Sequence, residues 1–465
     1  MKATVLHKAV IVTADDEAQG SVIVVNDKIA EVLYCRDEDF EYRLQKETSK
    51  YTDVTVIDLE GKHLMAGGID AHVHFRDPGL THKADISTES KAAVAGGVTS
   101  VIDMPNTSPA TTSAQTLSQK LDSVKDRSYV NIGFHIGATN GNFDEIQDLA
   151  AGRGSVPSEH LGGVKVFMGS STGNMLVDED CSLARLFSIK ERPVLVHCED
   201  EAEIKAQLQK AVERYGDDIP FSEHENIRSR KACIRSSIKA LEKAIRHDTR
   251  LVLCHISTKE EVEMARAAKS NNPSIIAETS CNYLWFSNND YERLGSKVKC
   301  NPSIKTEEDR KALRNALADG LIDTIGSDHA PHLLSEKDAP YTKAPSGLPT
   351  IQQSLPVLLT IAQEEEIPLS RIAAAFSEKT ADLYGLDRGK IRKGYAADIV
   401  IFDLNTEYVV KNEDQHGKCG WTPYNGEKLK GKIEMVLVNG KPAYENGTFA
   451  ETRNGVLLKF YERTE

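Results

Sequence analysis

Between residue 64 and about residue 350 the chain repeats one rhythm eight times: a short apolar run, then a helical stretch. The runs are GIDAHVHF, VTSVIDM, VNIGFHIG, GGVKVFMG, RPVLVHC, RLVLCHIS, PSIIAETS and IDTIGSD. Helical patterns follow near 85–95, 112–124, 143–150, 178–190, up to 247, 258–270, 306–319 and beyond 350. Apolar runs without strict alternation read as strands buried on both faces, the pattern of parallel strands covered by helices. Eight such units predict an α/β fold, a (β/α)8 TIM barrel. The two ends of the chain read differently. Residues 1–60 (ATVLHKAVIV, GSVIVVNDKIAEVL, TDVTVIDLEG) and those after about 390 (GYAADIVIFDLN, TEYVVKN, GKIEMVLVNGKPAYENG) are strands separated by turn residues. We therefore expect 1–60 and 390–465 to form a small β-sandwich domain together, with the barrel of 61–389 inserted between its halves.

A length of 465 residues suits a barrel plus an accessory domain. With 57 basic and 70 acidic residues the net charge is −13, and no basic tract stands out, which argues against nucleic acid as a partner. The longest apolar stretches, such as LPVLLTIA at 355–362, fall short of the ~20 residues that cross a bilayer. No secretory signal is read at the N-terminus. The eight cysteines form no CxxC pair, so free thiols in a reducing cytoplasm are expected, with a small molecule as substrate.

In a TIM barrel the chemistry sits at the C-terminal ends of the strands. Here His72 and His74 end strand 1, Lys165 lies in strand 4, His197 and His255 end strands 5 and 6, and Asp328 ends strand 8. Residues i and i+2 of a strand share a face, so His72 and His74 read either as a two-point clamp for a divalent metal or as hydrogen-bonded core histidines, and His197, His255 and Asp328 at equivalent strand ends favour the metal. By the same alternation, Cys198 and Cys254 should face the helix layer as small core residues. The ammonium form of Lys165 is disfavoured by burial and by like charge. It could react with carbon dioxide to give a bidentate carbamate that bridges two metals, or it could reach solvent or pair with an acid. Asp77-Pro78-Gly79 is a turn that would hold Arg76 over the barrel mouth. His7, His63, His82, His160, His247 and His416 read as surface or loop residues, His135 as core, and His224 as a pairing residue near a helix start. The Pro-rich, charged segment 329–349 suits either a mobile lid or a static loop.

These residues lie in motifs that resemble the amidohydrolase superfamily and, within it, the class I dihydroorotases. The motifs are DAHVHFRDPG (70–79), AGGVTSVIDMPNT (95–107), GVKVFMG (163–169), LVHCED (195–200), RSRKA and LCHIST (228–258), SDHAPH (327–332) and GYAADIVIFD (394–403). The resemblance implies one zinc held by His72, His74 and Asp328 and a second held by His197 and His255. A carboxylated Lys165 and a hydroxide would bridge them. It further implies Asp328 as general acid and base, with Arg76, Asn106 and His332 on a substrate carboxylate. Backbone groups at Asn301 and around Ser346 and Gly347 would hold the ring edge. The implied activity is the interconversion of L-dihydroorotate and N-carbamoyl-L-aspartate in pyrimidine synthesis, by a homodimer or larger homo-oligomer. Arg76 and Asn106 favour this over a hydantoinase or allantoinase, whose rings lack that carboxylate. The filled ligand positions speak against a non-catalytic scaffold. Two stretches depart from the family pattern: Cys281-Asn282-Tyr283-Leu284 for Pro-His-His-Leu, and Asn301-Pro302-Ser303-Ile304-Lys305 for Asn-Pro-Pro-Leu-Arg. They bear on the shape of the ring pocket.

Overall fold

The structure is a computed structural model that describes residues 2–169 and 175–461. Two sheets organise it. Strands β6 (Gly68–Val73), β7 (Val98–Asp103), β8 (Asn131–Gly137), β9 (Leu161–Phe167), β10 (Val194–His197), β11 (Leu251–Leu253), β12 (Ile276–Thr279) and β13 (Thr324–Ile325) pair in that order, all parallel. A bridge from Val73 to His329 joins the first strand to the segment after the last. This is the eight-unit barrel that the rhythm predicts. Strands β6 to β11 are buried at every position, because helices cover one face and the barrel interior fills the other. The helices Phe143–Ala150, Lys259–Lys269 and Glu307–Ala318 fall where the sequence pattern places them. The last two begin on Thr258 and Thr306, whose hydroxyls accept N–H groups of the first turn.

The second sheet is built from both chain ends. Strands β1 (Lys2–Val12), β2 (Glu17–Val25), β3 (Lys28–Tyr34), β4 (Asp53–Asp58) and β5 (His63–Ala66) join β14 (Ile399–Val409), β15 (Lys428–Val438), β16 (Lys441–Glu445) and β17 (Thr448–Phe449). The seam is the antiparallel pairing of β5 with β14, where Ala66 faces Ile399. The segment before residue 60 is not purely antiparallel. β1 pairs in parallel with β4 and β5, and a helix spans Phe40–Thr48. A core of Leu6, Ile11, Val22, Leu64, Ile399 and Ile401 draws on both ends of the chain.

Candidate metal centre

The barrel places its polar residues at one mouth. His72, His74, Arg76, Lys165, Phe167, His197, His255, Asn301, Asp328, Ala330, Ser346 and Gly347 line a narrow cavity of about 40 Å3. Larger clefts exist, one of about 740 Å3 between the helices Glu201–Tyr215 and Arg230–Arg246, but none of these residues lines it. All six residues expected as ligands thus converge on one cavity.

The histidines are oriented from behind. His72 Nδ1 donates to Glu278 Oε1 at 2.6 Å, and His74 Nδ1 donates to Asn106 Oδ1 at 2.6 Å. His197 Nε2 donates to Glu199 Oε2 at 2.9 Å. Burial pushes the imidazoles of His72, His74, His197 and His255 below their ordinary range, so all four are neutral. A neutral imidazole that donates from one nitrogen carries a lone pair on the other. The lone pairs of His72 Nε2 and His74 Nε2 face Asp328 Oδ1 at 3.6 and 3.1 Å. Three electron-pair donors therefore meet at one point, which suits a divalent cation. On the other side His197 Nδ1 and His255 Nε2 face each other at 3.0 Å, and His255 Nδ1 is buried with no hydrogen-bond partner among the described residues. The donors of His72, His74 and Asp328 fit a divalent cation.

Backbone conformation helps to aim these groups. Arg76, His255 and Asp328 take φ of 63°, 38° and 48°, a left-handed region that non-glycine residues enter at a cost. At His255 this breaks the alternation on which the expectation for the cysteines rested. Cys254 does not face the helix layer. Its Sγ lies 3.3 Å from Lys165 Nζ inside the barrel, near His72 and Glu278, so neighbours in sequence share the interior. Burial pushes its thiol up to about 12. Cys198 does face outward, toward Ser236 and Ser237 of a covering helix. All eight cysteines are unpaired.

Arg76 is buried at the cavity edge and held by the turn that follows it. Leu80 N donates to Arg76 O at 3.0 Å. Gly79 has a φ of 87°, and a Cβ there would fall 1.9 Å from Ser108 O. The guanidinium donates to Pro331 O at 3.3 Å and meets His332 Nε2 at 3.1 Å; neither is an anion. Burial lowers its pKa to about 10. Of the residues expected on a substrate, Arg76, Asn301, Ser346 and Gly347 line the cavity, whereas Asn106 and His332 stand behind His74 and Arg76.

Four residues escaped the sequence reading. Glu278 and Glu199 back two of the candidate ligands, His72 and His197, and Arg228 contacts Glu199. His329 is buried, donating to Glu89 Oε2 at 2.7 Å and accepting from Thr350 N at 3.0 Å. Glu278 was visible as a lone acid in the apolar run PSIIAETS, and Glu199 as the same-face neighbour of His197 two residues on. Of the departing stretches only Asn301, which keeps the family residue, lines the cavity. Tyr283 OH donates to Pro302 O at 2.7 Å and Asn282 Oδ1 accepts from Tyr424 OH at 3.1 Å. Ser303 Oγ and Lys305 Nζ both donate to Arg228 O, which braces the arginine behind Glu199. His224 pairs as expected but from a buried place, joining Tyr341 OH and Cys300 O.

A model of the amidohydrolase family matches residues 63–443. The chain belongs to that family. A dihydroorotase of Methanosarcina acetivorans is 37% identical over 383 residues, 80% of this chain and 79% of its own. A dihydroorotase of Macrococcus caseolyticus is 31% identical over 445 residues, 93% of this chain and 99% of its own. Among solved structures, the L-hydantoinase (dihydropyrimidinase) of Arthrobacter aurescens covers 98% of this amidohydrolase, and 99% of its own chain, with a TM-score of 0.89 at 26% identity. The chain is thus an enzyme, a metal-dependent cyclic amide hydrolase. No helix among the described residues is long and apolar enough to cross a membrane.

Proposed function

We propose that this amidohydrolase is a zinc-dependent dihydroorotase of pyrimidine synthesis, interconverting L-dihydroorotate and N-carbamoyl-L-aspartate. The observation that carries the reading is Arg76. A guanidinium buried at the cavity edge, with a carbonyl and an imidazole as its contacts, has a planar fork to offer an incoming carboxylate. The names of the two relatives support the same substrate. His72, His74 and Asp328 would hold one zinc, and His197 and His255 a second, with a carboxylated Lys165 between them. Bound there, the ions supply Lewis acidity and an activated water near neutral pH.

The chain's own residues do the rest. Arg76 holds the ring carboxylate, and the backbone at Asn301, Ser346 and Gly347 holds the ring edge. Asn106 fixes the tautomer of His74, and His332 buttresses Arg76. Asp328, ionised before the reaction, takes the proton from the attacking water and passes it to the leaving ring nitrogen. The reverse sequence closes the ring. The enzyme would work in the cytoplasm as a homo-oligomer. A second reading, a hydantoinase-type amidase, draws on the solved structures that match nearly the whole chain.

Metal content per chain and hydrolysis of L-dihydroorotate, measured on one preparation, test the proposal. Two zincs with activity are expected, and Arg76→Met should cost at least about a hundredfold in kcat/KM for the loss of a charged, bidentate contact. Faster turnover of hydantoins or allantoin than of dihydroorotate would move the assignment to the second reading.

A further inference from the structure

Segment 333–349 packs beside the cavity and is tied down by two lysines. Lys337, 1% exposed, ends the short helix Leu334–Lys337. Its Nζ donates to Lys299 O at 3.1 Å, Pro345 O at 2.8 Å and Gly347 O at 3.1 Å. Those three bonds use all three ammonium hydrogens. Lys299 Nζ donates to Tyr341 O and Ala344 O, both at 2.6 Å, and sits 4.2 Å from the Tyr341 ring centre. Gly347 N returns a bond to Lys299 O at 3.0 Å. Gly347 itself has a φ of 137°, and a Cβ would lie 2.5 Å from Ala330 O.

Holding a loop does not by itself call for buried charge. An amide or a packed apolar side chain would close the same gap without desolvating an ammonium. Here two amino groups are bonded to carbonyl oxygens, which orient them and supply no negative charge. Burial pushes Lys337 down to about 7 and Lys299 to about 8, the electrostatic cost of keeping them there. Both adjoin the turn that lines the cavity, and Arg76 stands at the same cavity. In a trans peptide the C=O and N–H point oppositely. Drawing the Pro345 carbonyl toward Lys337 therefore turns the Ser346 N–H away from it.

We propose that Lys337 and Lys299 are positioning residues that set the Ser346–Gly347 turn and, together with Arg76, bias this wall of the cavity toward a ring bearing a carboxylate. Neither lysine lines the cavity, so they act through the turn and through their field, which a low-dielectric interior screens weakly. The inference rests on the reading of the substrate as an anionic ring.

The test uses the full-length zinc enzyme with two probes: L-dihydroorotate as substrate, and 5,6-dihydrouracil, the ring without the carboxylate, as competitive inhibitor. Lys337→Met is expected to raise KM for dihydroorotate about tenfold or more, with kcat within about threefold and the dihydrouracil Ki unchanged. Lys337→Arg, which keeps the charge, should recover part of the loss. Equal weakening of both probes would mean that Lys337 only staples the loop, and no change in either would also overturn the proposal. If Lys337→Met fails to fold, Lys299→Met carries the same comparison, with melting and zinc content as controls. Wild-type enzyme inactive on dihydroorotate would instead sink the substrate reading, and this inference with it.

Discussion

The two sides of the metal centre look alike from the cavity and differ behind it. On each side a ligand histidine donates its rear N–H to a buried glutamate: His72 to Glu278, His197 to Glu199. Glu199 also meets the Arg228 guanidinium, whose carbonyl is in turn braced by Ser303 and Lys305. Burial would raise its carboxyl, but Arg228 and His197 hold it well below the usual range. Glu278 lies within β12, and burial pushes it up to about 7. One histidine is thus backed by a fixed carboxylate, the other by a group near its titration point. A carboxylate behind an imidazole raises the basicity of the ligating nitrogen. The His197–His255 side therefore holds the stronger electrostatic support, although the His72–His74 side has the more complete set of protein donors.

Removing each support in turn tests that asymmetry. Glu199→Gln should weaken zinc binding at one site about 10–100-fold and lower kcat with it, because the amide keeps the shape but loses the charge that Arg228 and His197 share. Glu278→Gln removes a carboxylate whose charged form burial already disfavours, so its loss should be the smaller of the two, under about tenfold. Competition of the enzyme against a zinc chelator resolves the two affinities. A larger loss from Glu278→Gln than from Glu199→Gln would break the comparison.

The same pair should give opposite pH dependence in zinc-free protein. The folded pKa of Glu199 is lowered, so its contribution to stability is full above the ordinary value of 4.5 and is lost as pH falls toward the folded value. The folded pKa of Glu278 is raised from 4.5 to about 7, so its contribution is full below 4.5 and is lost as pH rises through about 7. Denaturant melts from pH 4 to 8 on wild type and Glu278→Gln read the second slope, and melts from pH 5 downward on wild type and Glu199→Gln read the first. Glu278→Gln should remove the loss of stability between about 4.5 and 7. A variant that melts in parallel with wild type across that window would contradict the assignment for Glu278.

What was legible in the sequence follows from the range of each signal. Candidate ligands at strand ends carry two local marks, their chemistry and an apolar run before them, so His72, His74, Lys165, His197, His255 and Asp328 could be picked out without a structure, and the structure brings them to one cavity. The backing residues carry their meaning only across the barrel, since 206 positions separate Glu278 from His72. The same limit applies to β1, whose parallel pairing with β4 and β5 is fixed by the closing of the sheet and not by its own pattern. The short helix Phe40–Thr48 buries little beyond Phe40, which leaves only a faint amphipathic trace.

Cys254 is the case in which a sound local rule met an exception that only the backbone reveals. Counted back from His255, alternation sends it outward; counted on from Val252 it faces inward, and the left-handed φ at His255 is what brings the histidine to the same side. A thiol with its pKa near 12 stays protonated and makes a poor acceptor for an ammonium. A hydroxyl at the same place accepts well, and would favour the ammonium form of Lys165 over the carbamate proposed for it. Cys254→Ala should then keep activity within about twofold, while Cys254→Ser should lose several-fold and recover as bicarbonate is raised. This is the smallest effect expected at the centre, and it bears on the least supported of its bridges. A serine variant that matches wild type at low bicarbonate would mean that the lysine is indifferent to its neighbour, and that the carbamate, if it forms, is held by the metals alone.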